Sequence, residues 1–400
     1  MIQPQYSRIY DTIVRDHLAH ERQMIFLSGP RQVGKTTICT TVATDYFNWD
    51  NDDDRDVILN GQRATAERAR VMVAEPTHIL AFDEIHRYPR WKLFLKGFFD
   101  VYGSRAKILV TGSARLDVFK RGGDSLMGRY FPYHMHPFSV AELVDTTLPR
   151  SPVREPRELD EGKWQALYRF GGFPEPFVRR NAAFSTKWHR LRFEQLIRED
   201  VRDLSRIVEL DQMAALARIL KTRSGDQLVY DSLCRDVRVS EVTVKNWVST
   251  LTALHYGFLV RPYHHNIAEA IRKTPKWYMR DWSDIEDVGK RNETLVACHL
   301  LKAVEGWTDL GLGEFDLFYL RDKRKREVDF VVTRDGVPWF VVEVKSSREA
   351  ISPNLEWAMG ATGAKHGFQV VMDMPYQPID VFAQPCPISV SARTFLSQLL

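Results

Sequence analysis

Residues 29–37 read Gly29-Pro30-Arg31-Gln32-Val33-Gly34-Lys35-Thr36-Thr37, directly after the apolar run Met24-Ile25-Phe26-Leu27. The pattern is two glycines bracketing four residues, then lysine and threonine at once. Glycines let successive backbone N–H groups close around an anion, the lysine adds a positive charge, and the hydroxyl adds an oxygen donor for a hard cation. A strand enters the loop, and a helix beginning near Thr37 leaves it with its positive end toward the same anion. Such a loop belongs at the C-terminal edge of a parallel sheet, so it predicts an α/β fold with helices on both faces. The expected ligand is a nucleoside triphosphate, ATP, with Lys35 on the β and γ phosphates and Thr36 on Mg²⁺.

A second segment fits the same sheet. Ile79-Leu80-Ala81-Phe82-Asp83-Glu84 is a continuous apolar run ending in two carboxylates, as in a strand buried on both faces. Asp83 is expected to hold the magnesium through water, and Glu84 to orient and polarise the attacking water. A third strand, Lys107-Ile108-Leu109-Val110-Thr111-Gly112-Ser113, ends in small polar residues. Thr111 and Ser113 are candidates for sensing the γ phosphate or the lytic water, and they serve equally well as turn residues. Arg115 and Arg129 are the candidates for neutralising transition-state charge, in this chain or on a neighbouring copy's nucleotide.

The 400 residues, 44% hydrophobic and 27% charged, hold enough apolar content for two or three cores. No stretch approaches the roughly 18–20 apolar residues of a membrane span, and Met1-Ile2-Gln3-Pro4-Gln5-Tyr6 lacks a signal-peptide pattern, so a soluble, cytoplasmic protein is expected. Cys39, Cys234, Cys298 and Cys386 are isolated, which argues against zinc or redox pairs. A net charge of +4 permits nucleic acid as a partner without requiring it.

Composition divides the chain into an ATPase core over 1–145, a proline-rich and charged linker over 146–163, a helical lid-like region over 164–208, a winged helix-turn-helix over 209–275, and a C-terminal α/β domain over 276–400. Residues 179–206 carry eight Arg/Lys against four acids, the pattern of a solvated helix face or a phosphate-contacting surface. In the winged-helix region Trp247, Leu251 and Leu254 share one face of a helix opened by Ser240. Thr243, Lys245 and Asn246 are left for a partner, DNA or protein.

Glu327-Val328-Asp329-Phe330-Val331-Val332-Thr333, Arg334-Asp335-Gly336 and Val337-Pro338-Trp339-Phe340-Val341-Val342-Glu343-Val344-Lys345 read as a hairpin with a glycine-bearing turn. Pairing Thr333 with Val337 sets Asp329 diagonally beside Glu343, with Lys345 on the same face. Two carboxylates and a lysine so placed suit a phosphodiesterase in which Asp329 and Glu343 hold Mg²⁺ or Mn²⁺ and Lys345 orients water or offsets phosphate charge. Glu293, in Asn292-Glu293-Thr294-Leu295-Val296-Ala297, is a third possible ligand. E-x-K alone is weak, arising about once by chance in such a length, and Glu161-Gly162-Lys163 is one accident. A buried Glu–Lys pair without metal is the competing reading.

Taken together the chain resembles a family of prokaryotic AAA-type ATPases with a C-terminal domain of unknown function whose core is restriction-endonuclease-like, PD-(D/E)xK. The resemblance rests on Gly29 to Thr37, on Asp83-Glu84-Ile85-His86 with Pro89 and Trp91, on Thr111-Gly112-Ser113-Ala114-Arg115 and on Ser125-Leu126-Met127-Gly128-Arg129. It continues through His136-Pro137-Phe138-Ser139-Val140-Ala141-Glu142-Leu143, Gly171-Gly172-Phe173-Pro174-Glu175, Glu327-Val328-Asp329 and Glu343-Val344-Lys345-Ser346. The chain departs from the family pattern at Asp281-Trp282-Ser283. The resemblance implies ATP binding and hydrolysis with magnesium, and a P-loop sheet followed by helical, winged-helix and nuclease-like regions. For the output it leaves open metal-dependent DNA cleavage, an ATP-driven regulatory switch or a remodelling role on a protein partner, with a homo-oligomer possible.

Overall fold

Met24–Ser28 (β1) is buried at all five residues, as expected of an apolar strand covered on both faces. It lies inside a sheet whose other strands are Asp45–Asn48 (β2), His78–Asp83 (β3), Ala106–Gly112 (β4) and Tyr130–His134 (β5), in the order β2-β3-β4-β1-β5. Every neighbouring pair is parallel, so the loops after β1, β3 and β4 open on one edge. Helix Trp91–Tyr102 buries Trp91, Phe94, Leu95, Phe98 and Phe99, the i, i+3, i+4, i+7, i+8 stripe of a helix lying on a sheet. The Phe82 ring meets the rings of Phe94 and Phe98 at 5.8 and 5.9 Å.

These details come from a computed structural model that describes residues 6–72, 78–112, 126–204, 209–264 and 274–400. Two compact units emerge, Met1–His136 and Pro137–Leu400. The break falls at His136 because the next helix, Val140–Val144, packs into the second unit: its Glu142 pairs with Lys302, and the Val140 N–H donates to His299 Nε2. No helix among the described residues is long and apolar enough to cross a membrane.

In the second unit, helices Leu210–Thr222, Tyr230–Val237 and Glu241–Ala253 share a core that includes Met213, Leu216, Leu220, Trp247, Val248 and Leu251. Ser240 caps the third by accepting from the Thr243 N–H at 3.1 Å. They lead into Gly257–Pro262 (β6), which pairs antiparallel with Lys276–Met279 (β7). The position expected to separate two domains, 275/276, thus falls between two strands that pair with each other. β6 also pairs in parallel with Phe315–Arg321 (β8), so the hairpin extends the C-terminal sheet. With Glu327–Arg334 (β9), Val337–Lys345 (β10), His366–Val371 (β11) and Ile388–Ser391 (β12), the order is β12-β11-β10-β9-β8-β6-β7, a mixed sheet. The long helix Val288–Asp309, with twelve buried residues, packs against it.

The hairpin register differs from the expected one. Thr333 pairs with Pro338 rather than Val337, and a bulge between Pro338 and Phe340 resets the ladder to Val341↔Val331 and Val342↔Phe330. Proline has no N–H to give the ladder, which favours an irregularity there. One step further, Asp329 stands opposite Glu343 instead of diagonal to it.

Candidate nucleotide site and a second carboxylate cluster

The loop leaving β1 has Gly29 at φ 153° and Gly34 at φ 108°, both on the positive side that glycine tolerates. A side chain at Gly29 would also run into the Met135 carbonyl, so the backbone can form this cradle only without a Cβ. The helix that follows starts at Lys35, two residues before the expected Thr37. Lys35 is buried and folds back on the loop, its Nζ donating to the Gly29 and Pro30 carbonyls at 2.8 Å each. Burial pulls the Lys35 pKa down, opposed by the charges of Glu84 and Asp83. Arg8, which sequence reading passed over, braces the loop from outside: its guanidinium donates to Val33 O at 2.7 Å and His136 O at 2.6 Å.

Asp83 ends β3 as a collection point for three hydroxyls. Thr36 Oγ1 donates to Oδ2 at 2.7 Å, Tyr46 OH to Oδ2 at 2.8 Å and Thr111 Oγ1 to Oδ1 at 2.5 Å. A Thr36 hydroxyl that donates to Asp83 keeps its lone pairs for a cation, so the donor set fits the expected magnesium. Tyr46 comes from β2, beside β3 in the sheet, and nothing in the linear pattern pointed to it. Its hydroxyl is pushed above the ordinary tyrosine range by burial and by the Asp83 charge.

Glu84 takes φ 55°, a conformation rare outside glycine, immediately after the strand. Its Oε2 is buried with no hydrogen-bond partner, at 3.5 Å from His86 Nε2 and 3.9 Å from Arg87 Nε. Desolvation raises the Glu84 pKa against the pull of Lys35. A partly buried carboxylate with a raised pKa and an oxygen free of hydrogen bonds is suited to accept a proton from water.

The structure therefore brings Lys35, Thr36, Asp83, Glu84 and Thr111 to one edge of the sheet. Ser113 and Arg115 lie outside the described residues. Arg129 sits at the other edge: its carbonyl accepts from the Met24 N–H at the start of β1, and its guanidinium grips Asp100 at 2.8 and 3.1 Å. A strand of five residues, roughly 16 Å, separates it from its own chain's loop.

In the second unit Lys345 Nζ lies 3.2 Å from Glu343 Oε1, and Asp329 Oδ2 accepts from the Val344 N–H at 2.8 Å. Glu343 is 7% exposed, and its Oε2 has no hydrogen-bond partner. Glu293 is turned elsewhere, its Oε1 taking Lys276 Nζ at 3.1 Å and Tyr278 OH at 2.6 Å. Lys276 also reaches Glu327 Oε1 at 2.7 Å. Burial, then the Glu293 charge, lifts the Asp329 pKa well above the carboxylate range; burial also raises Glu343, opposed by Lys345. Lys276 is held above the ordinary lysine range because the Glu293, Asp329 and Glu327 charges outweigh its burial. Among the described residues no three His, Cys, Asp or Glu side chains are grouped to hold a metal ion. The buried Glu343 Oε2, which makes no hydrogen bond, leaves one carboxylate oxygen of this cluster open to a cation.

Residues 21–144 match the family described as an AAA domain, residues 161–283 a domain of unknown function (DUF8612), and residues 288–387 another (DUF4143). Uncharacterized proteins of Mycobacterium tuberculosis and Mycobacterium bovis are each 22% identical over 351 residues, covering 85% of this chain and 74% of theirs. Among solved structures, a RuvB of Thermotoga maritima is 16% identical over 62% of this chain and 86% of its own, with a TM-score of 0.28. PCH-2 of C. elegans is 13% identical over 60% and 65%, with a TM-score of 0.23. Likeness at that level leaves the fold resting on the strand order and registers above. Residues 21–144 thus form an AAA-type ATPase-like domain, followed by two regions whose matching families have no assigned function.

Proposed function

We propose that this chain binds ATP with Mg²⁺ at loop 29–37 and hydrolyses its terminal phosphoanhydride. The Thr36–Asp83 hydrogen bond at 2.7 Å carries this reading, because it joins the loop's hydroxyl to the carboxylate of β3 in the arrangement a magnesium site needs. The loop N–H groups and Lys35 bind the phosphates, with Lys35 exchanging the Gly29 and Pro30 carbonyls for phosphate oxygens. Bound Mg²⁺ would offset charge on the β and γ phosphates. Asp83, oriented by Thr36, Tyr46 and Thr111, would hold the bound ion through water, and Glu84 is placed to take the proton of the attacking water. Arg129 can act on a nucleotide only in a neighbouring copy, which makes a homo-oligomer part of its role. Binding of a fluorescent ATP analogue tests the first step: Lys35→Ala abolishes it, and unimpaired binding defeats the assignment.

A second reading concerns the output. The facing Asp329 and Glu343, with Lys345 beside them, favour a divalent-cation site of Mg²⁺ or Mn²⁺ acting on DNA phosphodiesters. Linear, circular and single-stranded DNA incubated with either ion should be cut by the parent and spared by Asp329→Ala and Glu343→Ala. Absence of cutting leaves the cluster as a binding or regulatory module driven by ATP, with a protein partner in place of DNA.

A further inference from the structure

Lys276 changes what the C-terminal cluster can hold. Its ammonium is 2.7 Å from Glu327 Oε1, 3.1 Å from Glu293 Oε1 and 4.0 Å from Asp329 Oδ1, on a residue only 3% exposed. Three carboxyl groups around one buried ammonium compensate its charge within the cluster. Tyr278, two residues along the same strand and therefore on the same face, fixes Glu293 by donating to Oε1. Glu327 is closed from its other side by Arg321 Nη1 at 2.7 Å. Glu293, Glu327, Asp329 and Glu343 thus stand among Lys276, Lys345 and Arg321, four carboxyl groups against three cationic side chains. Within this cluster Glu343 Oε2 is fully buried and makes no hydrogen bond.

We propose that the Lys276 ammonium is a built-in cation occupying one cation position of this cluster. It limits the site to a single divalent ion held by Asp329 and Glu343, and it keeps Glu293 from becoming a third ligand. Removing the Lys276 charge frees Glu293 and produces a tighter, three-carboxylate site. The proposal rests on the reading that the cluster takes a divalent cation.

The test is Mn²⁺ binding to the full chain without nucleotide, by electron paramagnetic resonance and calorimetry, in an Asp83→Asn background that silences the phosphate-loop region. The parent should bind no more than one ion at this cluster. Lys276→Met should bind Mn²⁺ about tenfold more tightly or more, because a repelling charge has gone and a ligand has been added. Lys276→Arg should behave as the parent, and Lys276→Met with Glu293→Gln should lose most of the gain. A Lys276→Met chain that binds with unchanged or weaker affinity overturns the proposal while leaving the single-ion reading intact. No Mn²⁺ binding by either parent or Lys276→Met, or parent binding unaffected by Asp329→Asn, overturns the cation reading itself. Melting in EDTA guards against misfolding: a Lys276→Met chain that melts early and is restored by Mn²⁺ supports the proposal, since the ion replaces the ammonium. One that Mn²⁺ fails to restore, with Lys276→Arg stable, counts against it.

Discussion

Replacing Lys302 with methionine probes why Val140–Val144 belongs to the second unit. Lys302 Nζ lies 2.5 Å from Glu142 Oε2, with side-chain exposures of 2% and 0%, and it also donates to Pro137 O at 3.2 Å. A charge pair this deep gains little over apolar residues of the same size, but losing one partner strands the other charge out of water. The expected loss for Lys302→Met is about 4 kcal/mol, within the roughly 3–5 kcal/mol typical of a broken buried pair. At roughly 2–4 °C per kcal/mol for a unit of this size, melting should fall by about 8–16 °C. Lys302→Met combined with Glu142→Leu removes both charges and should return to within about 1 kcal/mol of the parent, recovering about 3 kcal/mol of the single variant's loss. Denaturant unfolding followed by fluorescence of the buried Trp282 and Trp307 reads both variants. A single variant within about 1 kcal/mol of the parent, or a double variant worse than the single, refutes the reasoning.

Two further outcomes follow from named contacts. Tyr46→Phe removes one hydroxyl from the Asp83 carboxylate, a hydrogen bond to a charged group worth about 1.5–3 kcal/mol, so ATP turnover should drop about tenfold or more and need more Mg²⁺. An unchanged Mg²⁺ dependence would show that Tyr46 is only packing. His299 must stay neutral because its Nε2 accepts from Val140 N–H while Nδ1 donates to Leu295 O, and burial lowers its pKa to about 4. The unfolded chain takes up that proton near pH 6.5, so the stability His299 contributes is present above pH 6.5 and lost as pH falls toward 4. The loss is about 3 kcal/mol, and it should vanish from the pH profile of His299→Gln; an identical profile would contradict the assignment.

The phosphate loop and the Asp83-Glu84 strand end were legible because their chemistry is local: spacing, glycine and an apolar run specify them within a few residues. What escaped is set by strand order. Tyr46 meets Asp83 because β2 lies beside β3, and Lys276 reaches Glu293 and Glu327 from β7, three strands from β9 in the sheet order. Glu142 lay inside a motif that drew attention, yet its partner is 160 residues away. The hairpin register slipped for a readable reason, Pro338, whose missing N–H favours the bulge that brings Asp329 opposite Glu343. Arg129 looked equivalent to Arg115 as a charge neutraliser until the parallel register of β1 and β5 set it at the wrong end of the strand.

The most direct measurement is steady-state hydrolysis of Mg²⁺–ATP by the parent and by Glu84→Gln, with nucleotide affinity determined on the same samples. Glu84 Oε2 is buried without a hydrogen bond, so glutamine fits the site but cannot take the proton. ATP should bind to Glu84→Gln at least as tightly as to the parent while turnover falls by about a hundredfold or more. Parent-like turnover in Glu84→Gln, or no hydrolysis by the parent, would contradict the assignment of this edge of the sheet as an ATP-hydrolysing site.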